Sequence, residues 1–414
     1  MRSGSSPTAV VIGGSVGGLL IGNMLLRAGW RVDIFEKVSD SLASRGAGIA
    51  RHPEMAPIME AAGVTPDSFS GVEVEGRTAY DNTGKIIAYH RYPQFLSAWN
   101  RVFDPLVTAF PADHYHLGVE LTDIRPNGDR VQVLFADGAT AEADIVIGAD
   151  GFLSAVRSIM LPRTKPRYAG YVAWRGMLEE RDLSATFRAD TMNRFAFCFP
   201  HRSQFISYPL ASVDNTQEAG RRRYSFLWYY PVKEGADLDD LLTDDAGVTH
   251  AYSIPPPLIR AEHVAQIKRE AESLLPPQFA EVVTKAKRHM LQPIYDVDSP
   301  RIAFDRVALI GDAAFVARPH VGIGVLKAGE DALALATALK HSPSIAAGLA
   351  RYERDRLEPG REAVALGRYL GAFIERGLEG PWSDPDLDLT PKKIIRISAR
   401  PITHFAERKT YELC

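Results

Sequence analysis

Hydrophobic and polar positions at the start of the chain alternate in blocks that predict a strand, a helix and a second strand. Ala9–Ile12 is a continuous apolar run, typical of a strand buried in a parallel sheet. The glycine-rich turn Gly13–Gly18 follows, and Leu19–Ala28 predicts an apolar helix that ends at Gly29. Arg31–Phe35 then alternates as a second strand. We therefore expect a βαβ unit whose helix packs on a parallel sheet.

The middle of the chain alternates at the two-residue period of strands. Val131–Phe135 and Ala141–Ile147 predict a hairpin with Asp137 and Gly138 in its turn. Further strand-like runs are rich in aromatic residues, which suits a mixed or antiparallel sheet in a second lobe. These runs are Tyr171–Gly176, Phe195–Phe199, Phe205–Tyr208 and Tyr224–Tyr230.

Helical periodicity dominates the last third of the chain. Glu262–Leu275 predicts an amphipathic helix, and Val307–Ile310 predicts one more short buried strand. Two long helices are expected over 324–339 and 342–375. The tail 380–414 contains several prolines, and we expect it to wrap the surface. The whole pattern predicts an α/β fold with two lobes.

Length and composition narrow the functional classes. A single core stops growing at about 250–300 residues, so 414 residues also favour two lobes. The net charge of −3 argues against a nucleic-acid or membrane-surface partner. Cys198 and Cys414 are the two cysteines, too few for a disulfide framework or a cysteine-based metal site. No apolar run reaches the roughly 18 residues of a membrane span, so a soluble, cytoplasmic protein without a metal is expected.

The first chemical signal is the turn Gly13–Gly18. A dinucleotide-binding turn carries glycine at its first, third and sixth positions, which are here Gly13, Ser15 and Gly18. The turn alone is also compatible with a purely structural role. Glu36 ends the second strand, about 20 residues on, where an acid hydrogen-bonds a ribose hydroxyl. Turn, context and acid together predict a bound dinucleotide, with its pyrophosphate at the helix N-terminus.

Two later segments favour a flavin dinucleotide over NAD. Asp312 follows a short apolar strand, where it can accept hydrogen bonds from a polyol. The loop from Pro319 to Gly324 opens a helix, and a helix N-terminus stabilises negative charge on a ring. A flavin has both a ribityl polyol and an anionic reduced ring. A similar acid, Asp150, stands at the end of an earlier strand.

The order of these motifs resembles the single-component FAD-dependent aromatic hydroxylases, to about residue 375. The segments 168–176, 225–230 and 318–320 are most similar to the 2,6-dihydroxypyridine 3-hydroxylase branch. The resemblance implies a discontinuous Rossmann-type FAD-binding domain over 1–73, 98–165 and 289–380. It also implies an inserted substrate domain of mixed or antiparallel sheet plus helices over 74–97 and 166–288, followed by the tail 381–414.

In that family NADH or NADPH binds transiently and reduces the flavin. Reduced flavin reacts with O2 to give a C4a-hydroperoxide, which hydroxylates an electron-rich ring. The resemblance implies a hydroxypyridine-type N-heterocycle as substrate. A phenol, a purine or a non-hydroxylating FAD redox function are the alternatives, and a homodimer is left open. No second dinucleotide fingerprint follows a strand, so a separate nicotinamide-binding domain is not expected.

The resemblance also assigns candidate FAD contacts along the chain. Glu36 is expected at the adenosine ribose, Asp312 at the pyrophosphate or ribityl, and Arg45 near the ribityl and nicotinamide path. The full set is Gly13, Gly14, Ser15, Val16, Glu36, Lys37, Arg45, Gly46, Ala47, Arg101, Asp150, Asp312, Gly322, Gly324 and Val325. Lys327 departs from the usual preference, since a cation in the first helical turn opposes the dipole. It points either to solvent or to the flavin.

The substrate site is predicted from residue type and position. A base near neutral pKa would ionise a ring hydroxyl. His52 and His320 flank the flavin motifs, and Tyr208 is a further polar candidate. The expected pocket residues are Tyr171, Trp174, Arg175, Trp228 and Pro319. The alternating aromatics of 224–230 share one strand face, which is either a pocket wall or a packed core.

Overall fold

The computed structural model describes residues 6–40, 48–65 and 71–400. The strands of these ranges are β1 (Thr8–Ile12), β2 (Arg31–Glu36), β3 (Gly48–Arg51), β4 (Val72–Tyr80), β5 (Ile86–Ala98), β6 (Tyr115–Leu117), β7 (Leu121–Asn127), β8 (Arg130–Phe135), β9 (Thr140–Ala143), β10 (Ile145–Gly148), β11 (Arg167–Glu179), β12 (Phe195–Cys198), β13 (Gln204–Leu210), β14 (Arg223–Pro231), β15 (His289–Asp298), β16 (Ala303–Phe304), β17 (Val307–Leu309) and β18 (Phe315–Val316).

The helices of the same ranges surround three sheets. They are α1 (Val16–Arg27), α2 (Met55–Ala61), α3 (Asn100–Ala109), α4 (Ala155–Met160), α5 (Ala185–Asp190), α6 (Ala236–Leu241), α7 (Ala261–Leu274), α8 (Pro277–Lys285), α9 (Gly324–His341), α10 (Ile345–Glu375) and α11 (Pro391–Ile397). No helix in the described part of the chain is long and apolar enough to cross a bilayer.

A largely parallel sheet forms one half of the fold, in the order β16-β17-β10-β1-β2-β6. β1 lies between β10 and β2 and is parallel to both. Its residues Ala9–Ile12 are buried, because helices and the neighbouring sheet cover both faces. The predicted βαβ unit is confirmed, with α1 as its helix.

The predicted hairpin is only half correct. β8 pairs with β9 antiparallel, in a three-stranded sheet with β7. The segment expected as one returning strand divides at Asp144, and β10 leaves to join the parallel sheet. Asp144 explains the division, because its Oδ2 accepts hydrogen bonds from the Thr8 backbone N–H and hydroxyl, both at 2.8 Å. The Asp144 side chain therefore anchors the connection between β9 and β10 to β1.

The second half is a nine-stranded sheet in the order β18-β15-β11-β14-β13-β12-β4-β5-β3. β11, β14 and β13 pair antiparallel, with Trp174 opposite Trp228. The predicted aromatic strands thus form one mixed sheet. Its limits differ from the predicted domain limits, since β3 and β15 pair within it although they belong to segments assigned to the FAD-binding domain.

The C-terminal segment is not a surface tail. Ile394, Ile395 and Ile397 of α11 are buried, and the helix packs on β4 and β5. The expectation of a surface wrap is therefore wrong up to residue 400. The residues just before α11 are rich in proline and aspartate, so the composition of the segment does not indicate the short apolar stripe of α11.

Candidate active site

A cavity of about 600 Å³ lies between the carboxyl ends of the parallel strands and one face of the nine-stranded sheet. Residues that directly follow β1, β10 and β17 line one side, which is where ligands bind in open α/β sheets. The lining includes Ser15, Val16, Gly151, Arg175, Tyr208, Tyr229, Gln292, Asp312, Pro319, His320, Gly322, Gly324, Val325, Ser398 and Ala399.

The glycine-rich turn brings backbone close to this cavity. Gly13 has a φ of 107°, and a Cβ there would collide with the Ala149 carbonyl. The Gly14 N–H donates to Glu36 Oε2 at 2.9 Å. Ser15 and Val16 then line the cavity at the start of α1, and the Ser15 side chain does not cap the helix. The free N–H groups of this first turn are suited to an anionic phosphate.

Glu36 is buried at the end of β2. Its Oε1 accepts from the Val38 N–H at 3.0 Å, so both carboxylate oxygens bond to backbone. Each oxygen retains acceptor capacity for a ribose hydroxyl. Lys37 is exposed and does not line the cavity. The predicted residues Arg45, Gly46 and Ala47 lie outside the described ranges.

The other half of the predicted cofactor site is at the N-terminus of α9. Gly322 has a φ of 63° and ends a short turn, and α9 starts at Gly324. A Cβ added at Gly324 would meet no atom within 4 Å, so the helix start faces open space. Asp312 lines the same cavity. A backbone cradle, a helix N-terminus and an acid therefore occur together, and these residues fit a flavin ring and its polyol chain.

Arg101 and Asp150, like Gly13, Gly14, Glu36 and Lys37, lie outside the cavity lining. Arg101 is half-buried in α3, two residues beyond Trp99 of the cavity wall. Asp150 accepts from the Ser154 hydroxyl at 2.5 Å and from the Val156 N–H at 3.1 Å. Burial raises the pKa of the Asp150 carboxyl. Asp150 thus fixes the start of α4 and shapes the adjacent loop, of which Gly151 faces the cavity.

His320 stands at the cavity wall among aromatic rings. Its imidazole stacks on Tyr229 with centroids 4.0 Å apart, and its Nε2 lies 2.9 Å from the Tyr171 hydroxyl. Burial, and then the charge of Arg318, hold the pKa of His320 well below its usual value. His320 is therefore neutral at physiological pH. Its Nδ1 has no hydrogen-bond partner among the described residues.

A buried ion-pair network lies on the Nε2 side of His320 and restricts the orientation of its imidazole. Arg318 donates to both carboxylate oxygens of Asp296, at 3.0 and 2.9 Å, and to Glu375 at 2.6 Å. It also donates to the Tyr171 oxygen at 3.4 Å. Because a guanidinium only donates, the Tyr171 hydroxyl hydrogen is left for His320 Nε2. This chain of donors places the imidazole proton on Nδ1.

The other two predicted catalytic residues differ in position. His52 is buried behind residues 318–323, the loop before α9, which we call the flavin-side loop. It does not line the cavity, and its Nε2 lies 3.0 Å from the Gly322 carbonyl. Burial lowers the pKa of His52. Tyr208 lines the cavity and donates to the Gly48 carbonyl at 3.2 Å. Burial raises the pKa of Tyr208, so its hydroxyl stays protonated near neutral pH.

Arg175 is a cation in the described part of the cavity wall. Its guanidinium donates to Gln292 Oε1 at 2.7 Å, and both side chains line the cavity. Burial raises the pKa of Tyr229, and the positive charge of Arg175 partly offsets this effect. No ion pair of Arg175 occurs in the described part of the protein. Arg175 is thus available to an anionic or carbonyl group.

Strand parity corrects part of the predicted pocket. Trp174 and Trp228 are buried on the opposite face of the sheet, against the helices of the second lobe. Trp174 borders a separate groove there, and Trp228 donates to the Ser203 hydroxyl at 3.0 Å. The alternating aromatics of 224–230 include this core face. The neighbouring positions Leu227 and Tyr229 face the cavity instead.

Tyr171 and Pro319 were also predicted to line the substrate pocket, and the structure places them differently. Pro319 lines the cavity, whereas Tyr171 stands one layer behind it and bonds to His320. Sequence reasoning missed Tyr229, Gln292 and Arg318. Arg318 directly precedes Pro319 in the flavin-side loop, and that position is the one local signal for it. No local pattern distinguishes Tyr229 from its core-facing neighbours.

The C-terminal segment also forms part of the wall. Ser398 and Ala399 line the cavity, and a Cβ on Gly322 would come within 2.6 Å of the Ala399 Cβ. The buried Arg77 donates to the carbonyls of Ile395 at 3.1 Å and Ala399 at 2.7 Å. This guanidinium therefore anchors the segment against the loop at the start of α9.

Comparison with known proteins now supplies the family. A family model for FAD binding domain-like sequences matches residues 168–296. The 2,6-dihydroxypyridine 3-monooxygenase of Paenarthrobacter nicotinovorans is 31% identical over 379 residues, which cover 90% of this chain and 93% of that protein. This chain belongs to the FAD-dependent aromatic monooxygenases. Its cofactor is FAD, as the turn, Glu36 and the α9 cradle predicted.

A solved structure and one further relative extend the comparison of this monooxygenase. The structure of 2,6-dihydroxypyridine-3-hydroxylase from Arthrobacter nicotinovorans matches with a TM-score of 0.85 and 30% identity, over 93% of this chain and 97% of that one. The FAD-dependent urate hydroxylase of Klebsiella oxytoca is 27% identical over 382 residues, 87% of this chain and 88% of that protein. The predicted resemblance and the predicted α/β fold class are both confirmed.

Proposed function

We propose that this monooxygenase uses NADH or NADPH and O2 to hydroxylate a hydroxylated N-heteroaromatic ring of the hydroxypyridine type. The cavity wall carries the proposal. His320 and Arg175 present polar groups beside Tyr229, within a wall that also includes Phe197, Ile206 and other apolar side chains. Such a site fits a flat ring that bears oxygen substituents on one edge. The similarity to a 2,6-dihydroxypyridine 3-monooxygenase supports a hydroxypyridine, whereas the similarity to a urate hydroxylase supports only the broader class of oxygenated N-heteroaromatic rings.

FAD, when bound, supplies the reduction and oxygen-activation chemistry. The chain's own part is to hold the cofactor with the 13–16 turn, Glu36, Asp312 and the α9 start, and to hold the ring against Tyr229. We also propose that the nicotinamide cofactor binds only transiently, because no second dinucleotide fingerprint follows a strand. We further propose that the predicted FAD-binding and substrate domains share this cavity.

The role proposed for His320 differs from a simple base. Hydroxylation requires an electron-rich ring, and an ionised hydroxyl supplies that density. An imidazolium next to Arg318 is unfavourable, so His320 is poorly suited to hold the ring proton as a charge. Its Nδ1–H instead donates a hydrogen bond to the ring oxyanion, while the Arg175 charge favours ionisation of that hydroxyl. Tyr208 or a water chain remains as the path for the proton itself.

One screen tests the function. The purified holoenzyme is mixed with NADH or NADPH and with hydroxypyridines, phenols and purines, and substrate-stimulated oxidation of the nicotinamide is measured. We expect the strongest stimulation with a hydroxypyridine, coupled to a hydroxylated product in mass spectra. Strongest coupled turnover with a phenol or purine would reassign the substrate. NADH oxidation that no ring compound changes would indicate a non-hydroxylating redox protein.

A further inference from the structure

Lys327 is a buried cation beside the cofactor side of the cavity. It lies in the first turn of α9 and is 1% exposed. Its Nζ has no hydrogen-bond partner among the described residues, and the Asp312 Oδ1 carboxylate oxygen lies 3.7 Å away. The interpretation of Lys327 as a solvent-facing lysine is therefore wrong.

This position carries three separate energetic penalties. Burial of an ammonium removes its hydration, and a buried charge is tolerated only when it is paired. The 3.7 Å separation from Asp312 is too long for a hydrogen bond, so the pairing is incomplete. A cation near a helix N-terminus also opposes the helix dipole. Natural sequences keep such local conflicts mainly at functional sites.

Asp312 connects Lys327 to the cavity. Its side chain is 49% exposed and lines the cavity, whereas Lys327 does not. The Asp312 carbonyl is separately held by Arg157 at 3.2 Å, which leaves the carboxylate to respond to Lys327. The order from the interior outwards is thus ammonium, carboxylate, cavity. The positive charge of Lys327 therefore influences how the Asp312 carboxylate binds a ligand in the cavity.

We propose that Lys327 is a positioning residue for FAD. Its ammonium, 3.7 Å from the Asp312 Oδ1 oxygen, holds that carboxylate turned towards the polyol chain. The same charge adds to the positive end of α9 and stabilises the reduced, anionic flavin ring. The proposal rests on the proposed function only in that FAD is bound at this cavity, and it does not depend on which ring is hydroxylated.

Two measurable consequences follow from the sign of the charge. Without Lys327, Asp312 keeps Arg157 near its backbone carbonyl but loses the cation that faces its carboxylate. FAD binding then weakens because the polyol loses an oriented acceptor. Without the positive charge, the reduced flavin is destabilised relative to the oxidised form, so the midpoint potential becomes more negative. A lysine that only supports the fold would change neither quantity once the protein is folded.

The test compares Lys327→Met with Lys340→Met, which removes an exposed lysine from the last turn of the same helix. FAD dissociation constants are measured by flavin fluorescence, and midpoint potentials by dye-coupled titration. For Lys327→Met we expect at least tenfold weaker FAD binding and a shift of about −30 mV or more, which is tenfold for a two-electron couple. Lys340→Met should match the wild type in both.

The stability of the apoprotein separates this role from a structural one. Replacing an incompletely paired buried charge with an apolar side chain is often neutral or stabilising. We therefore expect the melting temperature of the apo Lys327→Met protein to equal or exceed that of the wild type. Asp312→Asn gives a second route if that variant fails to fold, because removal of the carboxylate that Lys327 faces should itself weaken FAD binding by a similar factor. Where both single variants fold, the addition of Lys327→Met to Asp312→Asn should cause little further loss of FAD affinity.

The outcomes that would overturn the proposal are distinct. Wild-type FAD affinity and midpoint potential in a folded Lys327→Met protein would exclude the positioning role. Additive losses in the Asp312→Asn double variant would show that Lys327 does not act through Asp312. Neither outcome depends on substrate hydroxylation, so an incorrect substrate class would leave this test intact.

Discussion

His320 stacks on Tyr229, with ring centroids 4.0 Å apart and planes inclined by 27°. This contact joins the flavin-side loop to the face of β14 and defines the substrate side of the cavity. The imidazole cannot rotate freely, because Tyr171 also holds its Nε2 at 2.9 Å. Its remaining nitrogen, Nδ1, is buried and has no hydrogen-bond partner among the described residues. This unsatisfied donor in a fixed ring is the basis of the role proposed for His320.

Replacement of His320 separates a hydrogen-bond donor from a base. We expect His320→Leu to reduce kcat/KM by about 10²–10³, the range for removal of one donor to an oxyanion, with normal flavin content. His320→Gln keeps an N–H donor and should retain clearly more activity than the leucine variant. Part of the lost rate should return at high pH, where the substrate ionises unaided. Equal loss in both variants would favour a titrating base.

His52→Gln is the matched control for these variants. His52 bonds to the Gly322 carbonyl but does not line the cavity. We expect a change in FAD affinity that is larger than any direct change in the chemical step. If single-turnover hydroxylation with saturating FAD fell as far in His52→Gln as in His320→Leu, our placement of the catalytic histidine would be wrong.

Arg175 should affect the substrate more than the flavin. Its guanidinium has no carboxylate partner in the described structure and faces the cavity next to Gln292. A charge-assisted hydrogen bond contributes about 1.5–3 kcal/mol, so Arg175→Gln should raise KM by about tenfold or more. Steady-state kinetics with the preferred ring, compared with FAD content, measures this split. A normal KM with lost FAD would contradict the assignment.

Glu36→Ala should weaken FAD binding. The carboxylate accepts from the N–H groups of Gly14 and Val38 and is expected to hold a ribose hydroxyl as well. Loss of these bonds should raise the FAD dissociation constant by at least tenfold. Glu36→Gln, which retains one acceptor oxygen, should lie between the variant and the wild type. Unchanged FAD affinity in Glu36→Ala would remove Glu36 from the cofactor site.

The buried histidines predict acid sensitivity. Burial lowers the pKa of both His52 and His320, so the unfolded chain binds more protons than the native state as the pH falls below about 6.5. Their neutral, buried forms are thus a source of stability that is complete above that pH and is lost as the pH falls. Each group contributes at most about 1.4 kcal/mol per pH unit. Urea unfolding at pH 7.5 and 5.5 should show this loss, and His52→Gln should reduce it.

The sequence predicted the elements that depend on local pattern. The βαβ opening, the strands over 171–176 and 224–230 and the helix start at Gly324 follow from periodicity and glycine positions. The side of a strand that faces a cavity is decided by partners distant in sequence. The tryptophans Trp174 and Trp228 were therefore expected in the pocket, although the α7 and α8 side of the sheet buries them. For the same reason, the sequence did not predict that Tyr229, on the opposite face of the sheet, lines the cavity.

Long-range contacts account for the other differences. Asp144 divides an apparent single strand because Thr8 lies across the sheet from it. Arg77 holds Ala399 against the flavin-side loop, a contact between residues more than 300 positions apart that no local pattern indicates. Lys327 differs from these residues because the sequence does contain a signal for it. Its conflict with the helix dipole is visible in the sequence, but its burial beside Asp312 appears only in the fold.

Incorporation of labelled oxygen shows whether this protein hydroxylates a ring with an atom from O2. The holoenzyme is supplied with a nicotinamide reductant, oxygen-18-labelled O2 and the hydroxypyridine that most stimulates oxidation, and the product is analysed by mass spectrometry. We expect a ring hydroxylated with a single labelled oxygen atom, formed in proportion to the reductant consumed. Consumption of reductant that yields only labelled hydrogen peroxide, with every ring compound unchanged, would contradict this expectation.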